Sequence, residues 1–185
     1  MTMTPSAMPA LGTRAPDFKL PDVVTGKTVS RDSVAGKNGL LVMVLSRHCP
    51  FVQHVQQELA RIGRDYLASG IGIVAICSND VATHPDDSPA NLAKQSRELG
   101  FSFPYLYDET QDIARAYDAQ CTPDFFLYDA QLRLAYRGQL DDSRPKSDTP
   151  VTGRDLRAAM DAVAAGKPVS ADQRPSVGCN IKWKS

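Results

Sequence analysis

Residues 40–45 read Leu-Leu-Val-Met-Val-Leu, an unbroken apolar run that follows Gly39 and stops at the polar Ser46-Arg47-His48. A strand with apolar side chains on both faces must be covered on both faces. That places it at the centre of a layered domain rather than at an edge. A second such run, IGIVAIC, spans Ile71 to Cys77. Between the two, Val52, Val55, Leu59, Ile62 and Tyr66 recur at steps of three and four, which predicts a helix with one apolar face from Pro50 to about Ala68. Pro50 suits the first turn, where its missing N–H is not needed, and Gly70 closes the segment. Strand, helix, strand in that order implies a parallel pair.

The flanking segments extend this plan. Phe18-Lys19-Leu20 and Lys27-Thr28-Val29 flank Thr25-Gly26 and predict a short hairpin. Residues 78–87 (SNDVATHPDD) read as a polar loop. Ser88 and Pro89 open a helix that runs to Leu99 and stops at Gly100. Residues 104–107 form a short extended segment, and Asp108 with Gln111 suggests a capping box for a short helix to Tyr117. Phe125–Tyr128 and Leu132–Arg137 are two further strands around a turn at Asp129-Ala130-Gln131. Thr152 caps a last helix that ends before Gly166. The expected class is α/β, a central mixed sheet flanked by helices, with a hairpin before it and an inserted helix.

Three regions follow: a Pro-, Ala-, Ser- and Met-rich tail over 1–12, expected to be disordered; one domain over 13–165; and a C-terminal tail over 166–185 packed on the domain. In that tail Cys179, Ile181 and Trp183 alternate with Asn180, Lys182 and Lys184. This period of two predicts an extended edge with the apolar set inward and Cys179 as a packed small residue, a resolving role being the less favoured alternative.

The chain's 21 Lys and Arg balance its 21 Asp and Glu, and no basic run would track a phosphate backbone. A nucleic-acid partner is therefore not expected. No stretch has the length and apolarity of a membrane span, and residues 1–13 lack the basic and apolar regions of a secretory signal. A cytoplasmic location is expected. There the four cysteines, at 49, 77, 121 and 179, read as thiols rather than structural disulfides. Their spacing forms no zinc motif, no G-x-S-x-G elbow is present, and neither a metal nor a cofactor is expected.

Four pieces of sequence carry a resemblance. They are Ala15-Pro16-Asp17-Phe18, His48-Cys49-Pro50-Phe51-Val52 after the first long strand, Cys121-Thr122-Pro123-Asp124-Phe125-Phe126, and the tail Pro175 to Trp183. Together they resemble the thioredoxin-fold redoxin family, of the alkyl hydroperoxide reductase and thiol-specific antioxidant type. Within it they resemble a bacterial peroxiredoxin-like subgroup with a C-x-H-C-P motif. The resemblance implies a thioredoxin fold and a redox centre at Cys49. It implies that Thr122-Pro123 is a cis-proline loop that faces that centre and pairs with an extended substrate segment. The implied partners are protein or small-molecule thiols and disulfides, or peroxides, with a role in antioxidant defence and redox homeostasis.

Cys49 stands where a strand ends and a helix begins, so unpaired N–H groups favour its thiolate, with Arg47 and His48 adding positive charge. The subgroup's first cysteine is replaced by Ser46, which excludes a dithiol cycle within S-R-H-C. Ser46 is a candidate to cap the helix or to hydrogen-bond the Cys49 sulfur. Hydroxyl-x-x-Cys is also the peroxiredoxin pattern. However, Val42 stands at that pattern's proline position, and Pro123 where its arginine is expected. The run LLVMVL also supplies no buried carboxylate.

The leading reading is a thiol–disulfide oxidoreductase or thiol-based antioxidant protein with Cys49, Ser46 and His48 at its centre. The alternatives are a one-Cys peroxidase and a non-catalytic binding module. Cys121, two residues before the proline, is the nearest candidate for a resolving thiol. Cys77 reads as core, His54 as a surface or satisfied core histidine, His84 as a solvated loop residue, and 141–144 as an ion-paired loop.

Overall fold

The computed structural model of the chain describes residues 3–185; Met1 and Thr2 of the expected disordered tail lie outside the described residues. The chain opens with strand β1 (Met3–Pro5), then β2 (Lys19–Pro21) and β3 (Thr28–Ser30), followed by a single turn α1 (Arg31–Val34). The predicted hairpin forms, with Leu20 opposite Val29.

The two apolar runs become β4 (Gly39–Val44) and β5 (Ile71–Cys77), parallel and joined by α2 (Pro50–Asp65). Every residue of β4 is buried, as a strand without a polar face requires. Leu41 and Met43 face one core with Val52, Val55, Leu59 and Ile62 of α2, while Leu40, Val42 and Val44 face a second core on the other side. Each of those α2 side chains stabilises its docking by roughly 1.5–3 kcal/mol.

The remaining elements are a 3-10 turn (Pro85–Asp87), α3 (Pro89–Leu99), β6 (Tyr105–Tyr107), α4 (Asp112–Ala116), β7 (Cys121–Thr122), β8 (Asp124–Asp129), β9 (Leu134–Gly138), α5 (Arg154–Ala164) and β10 (Val177–Asn180). The central sheet runs β6-β5-β4-β8-β9. β4, β5 and β6 are parallel, whereas β8 pairs antiparallel with both β4 and β9. α2, α3 and α5 cover one face, and α1 and α4 the other. The result is a thioredoxin fold. Ser88 caps α3 by accepting from the Asn91 N–H at 3.4 Å, and Gly100 takes the left-handed conformation that ends it.

Two caps differ from expectation. Gly153, at φ +68°, is the N-cap of α5, and Thr152 instead accepts from the Arg154 N–H. Gln111 is the left-handed N-cap of α4, and its side chain is drawn away to the Ser78 and Lys182 carbonyls.

The termini differ more. Met3–Pro5, inside the segment expected to be disordered, pair antiparallel with Val177–Cys179. A composition that offers no core of its own gains order from an edge that a distant strand supplies. β10 pairs in turn with β7, which gives a second sheet in the order β1-β10-β7. In the C-terminal tail Cys179 and Ile181 are buried, but Trp183 is 39% exposed, with the Arg115 guanidinium 4.7 Å above its ring. The ladder stops at Asn180, so the alternation no longer fixes which way residue 183 points.

Candidate active site

Cys49 is the N-cap of α2, with Pro50 in the first turn. Its own carbonyl accepts the Val52 and Gln53 N–H groups, which fixes the cysteine against the start of the helix. The side chain is buried, with its thiol donating to the Thr122 carbonyl at 3.2 Å and its sulfur 2.7 Å from the Cys179 sulfur. The Thr122–Pro123 peptide is cis. β7, which ends at Thr122, holds Cys179 opposite that residue.

These contacts set the acidity of Cys49. A hydrogen bond from Cys179 is the largest influence and draws the thiol down; burial opposes it. The Thr122 side chain and the backbone N–H groups of Val52 and Cys179 reinforce the fall, to about 6. The Thr122 hydroxyl is buried and makes no hydrogen bond within the protein, so it is an available donor to a thiolate. The same Cys49–Cys179 contact, together with burial, pushes Cys179 up. Cys179 is thus the thiol that keeps its proton.

Beside the helix start lies a buried carboxylate that the sequence reading did not single out. Asp87 accepts from the Ser46 hydroxyl at 2.9 Å, the Arg47 N–H at 2.7 Å and the Asn79 amide at 2.8 Å, and contacts His48 Nδ1 at 2.6 Å. Burial alone would push Asp87 up. The hydrogen bonds from His48, Asn79 and Ser46 outweigh it and hold the carboxyl below its ordinary range. The bond to Asp87 likewise raises His48 against its own partial burial. The His48 ring stacks on His84 at a centroid distance of 4.9 Å, where burial and the His48 charge both lower His84. The 46–49 turn is therefore pinned to the 79–87 loop by one anion.

The structure brings Cys49, Thr122 and the cis Pro123 together, and β10 pairs with the Thr122 edge that the resemblance leaves for an extended substrate segment. Ser46 and His48 stand one layer further out. Ser46 neither caps α2 nor touches the Cys49 sulfur; Asp87 takes its hydroxyl instead, because a buried carboxylate needs every donor within reach. The Cys121 thiol points to the Pro123 carbonyl at 3.7 Å, and burial pushes it up. The thiol that meets Cys49 is Cys179. Its signal was in the sequence, since the period-two tail turns it inward, but nothing in that pattern says what it faces. Asp87 had no such signal: it lies in an aperiodic loop, and three of its partners, Ser46, Arg47 and His48, stand about forty positions upstream.

A shallow cleft beside the cis peptide is lined by Phe51, His54, Pro123, Leu140 and Val177. His54 Nε2 is buried there without a partner. Among the described residues no cluster of three or more His, Cys, Asp or Glu could hold a metal ion, and no helix is long and apolar enough to cross a membrane.

The family model described as the AhpC/TSA family matches residues 11–137. Among solved structures, an uncharacterized conserved protein from Geobacillus kaustophilus is 52% identical, with 100% of this chain and 97% of that one covered at a TM-score of 0.97. A hypothetical protein from Sinorhizobium meliloti 1021 is 47% identical, with 98% and 99% covered and a TM-score of 0.96. Peroxidoxin BcpB from Mycobacterium tuberculosis shares the fold at 14% identity, with 84% and 96% covered and a TM-score of 0.62. None of the curated proteins compared with the chain matches it.

Proposed function

The chain belongs to the AhpC/TSA family, and from that premise we propose that it is a thiol-dependent oxidoreductase in which Cys49 is the reacting sulfur. One observation carries the reading: a buried thiol at a helix start has the Cys179 sulfur 2.7 Å away and hydrogen-bond donors around it, which lower its pKa and favour the thiolate. Thiolate, not thiol, attacks a disulfide. The Cys49 sulfur forms a bond to one substrate sulfur, the substrate S–S bond breaks, and the departing thiolate takes a proton from water.

Disulfide exchange fits this site better than peroxide reduction. Cleavage of an O–O bond needs positive charge on the leaving oxygen. The groups that shift Cys49 most are Cys179, Thr122 and backbone N–H groups, with no guanidinium among them. Pro123 occupies the place where an arginine was expected from the peroxiredoxin pattern. His48 acts on Cys49 only as a neighbouring positive charge, with its ring nitrogen committed to Asp87.

The reading is tested by following consumption of a small disulfide and of hydrogen peroxide, in parallel, with a dithiol as reductant. Wild type is expected to consume the disulfide, and Cys49→Ser to lose that activity. Peroxide consumption that depends on Cys49 and outruns disulfide consumption would favour the one-Cys peroxidase. Neither activity in wild type would favour a non-catalytic binding module.

A further inference from the structure

We propose that Cys179 is the second catalytic thiol: strand β10 seats it against Cys49, and the two close an intramolecular disulfide in each turnover. The proposal rests on the Cys49 reading above and adds the residue that releases product. Three observations carry it. The two sulfurs stand 2.7 Å apart, against about 2.05 Å for the covalent bond. The register is fixed, because β10 runs antiparallel to β7 with Cys179 opposite Thr122 and Asn180 opposite Cys121. The seat is also built for close approach. A Cβ added at Gly178 would lie 1.9 Å from the Thr122 carbonyl oxygen, so only glycine lets the strand lie so near the cis peptide.

The same ladder explains why Cys121 is not the partner. Neighbouring side chains on a strand point to opposite faces. The Cys179 sulfur and the Thr122 side chain both act on the Cys49 sulfur, while the Cys121 thiol turns to the Pro123 carbonyl. The asymmetry of the pair gives the order of events: Cys49 is the thiolate that attacks, and Cys179 holds its proton until the mixed disulfide exists.

In the first step the Cys49 thiolate bonds to one sulfur of a disulfide, and the other substrate sulfur leaves and is protonated. In the second, Cys179 gives up its proton and its sulfur bonds to that of Cys49. The bond from Cys49 to the substrate sulfur breaks, and the second thiolate leaves and is protonated. Two protein thiols are oxidised by two electrons, and one disulfide is reduced to two thiols. A dithiol of low molecular weight returns the protein to its starting state by the reverse exchange. With β10 seated, the Thr122 edge is already paired and Cys49 is buried. The substrate this arrangement admits is therefore a small disulfide rather than a polypeptide strand.

The full chain, reduced and then treated with oxidised glutathione, tests the pair by peptide mass spectrometry and by turnover with dithiothreitol. The expected product in wild type and in Cys121→Ser is a peptide that links Cys49 to Cys179. Cys179→Ser is expected to stop at the Cys49–glutathione mixed disulfide, with turnover lower by roughly tenfold or more. Gly178→Ala keeps both thiols but unseats the strand, and is expected to form the linked peptide more slowly. A link that maps to Cys121, wild-type turnover in Cys179→Ser, or wild-type linking rate in Gly178→Ala overturns the proposal. Wild-type turnover in Cys49→Ser overturns the reading beneath it, a signature that no Cys179 result gives.

Discussion

β4 and β5 lie side by side and run in the same direction, and each leads to a buried cysteine at the same end of the sheet. Cys77 is the last residue of β5, and Cys49 follows β4 by one turn. Neither is exposed, yet their acidities diverge. Cys77 is pushed well up, first by burial and then by the nearby charge of Asp87, with a single backbone N–H in opposition. Cys49 suffers the same burial but has the Cys179 and Thr122 side chains and the backbone N–H groups of Val52 and Cys179 to receive its charge. Burial is common to the two thiols; hydrogen-bond donors are not. What makes the end of β4 a site is the convergence of α2, the cis-proline loop and β10 on one sulfur.

Asp87 serves this contrast by fixing the turn that presents Cys49, and removing its charge should have the largest effect. Asp87→Asn leaves one acceptor for donors that now share two oxygens and deprives His48 of its counter-ion. Loss of one member of a buried pair costs about 3 kcal/mol or more, to be read from urea denaturation. The sign with pH follows from both groups. The Asp87 carboxyl is held low, so its stabilisation is present above its ordinary value near 3.8 and lost as pH falls through the lower folded value. His48 is raised, so its share is complete below about 6.5 and lost as pH rises through the higher folded value. The stability gap between wild type and Asp87→Asn should therefore be widest between about pH 4 and 6.5. A gap that does not change with pH would show that Asp87 acts only through its neutral hydrogen bonds.

Thr122→Val makes a smaller change, and one confined to the sulfur. It removes a buried hydroxyl that has no partner within the protein while keeping the branched shape. Below the Cys49 transition, where the thiol is protonated, deleting this unsatisfied group should be close to neutral for stability. The Cys49 thiolate, however, should lose a donor worth roughly 1–1.5 kcal/mol, which raises its pKa by about one unit. An unchanged pKa would assign the whole effect to Cys179 and the backbone.

How much of this was legible in the sequence differs along the chain. β4, α2, β5 and α3 could be read because their apolar period, their first-turn prolines and the glycines at 70 and 100 all act locally. The hairpin and the antiparallel β8–β9 pair followed from turn chemistry in the same way. The order at Met3–Pro5 was not legible, since those residues become a strand only against β10, some 170 positions away. The site divides along the same line. Cys49 could be named from the strand–helix junction together with the family resemblance of the motif around it. Asp87 could not, because its role depends on a loop folding back onto the 46–49 turn. Cys179 stood halfway: its burial was readable from alternation and its partner was not.

Environment, not exposure, is what we propose makes Cys49 the thiolate of this chain. The most direct test is a thiolate titration of the reduced full-length protein by ultraviolet absorbance, with Cys49→Ser beside it. The account predicts a transition near pH 6 that disappears in Cys49→Ser, while Cys77 and Cys121 stay protonated beyond the range of a free thiol. A Cys49 transition at or above about 8.5, the value of an unperturbed cysteine, would contradict it.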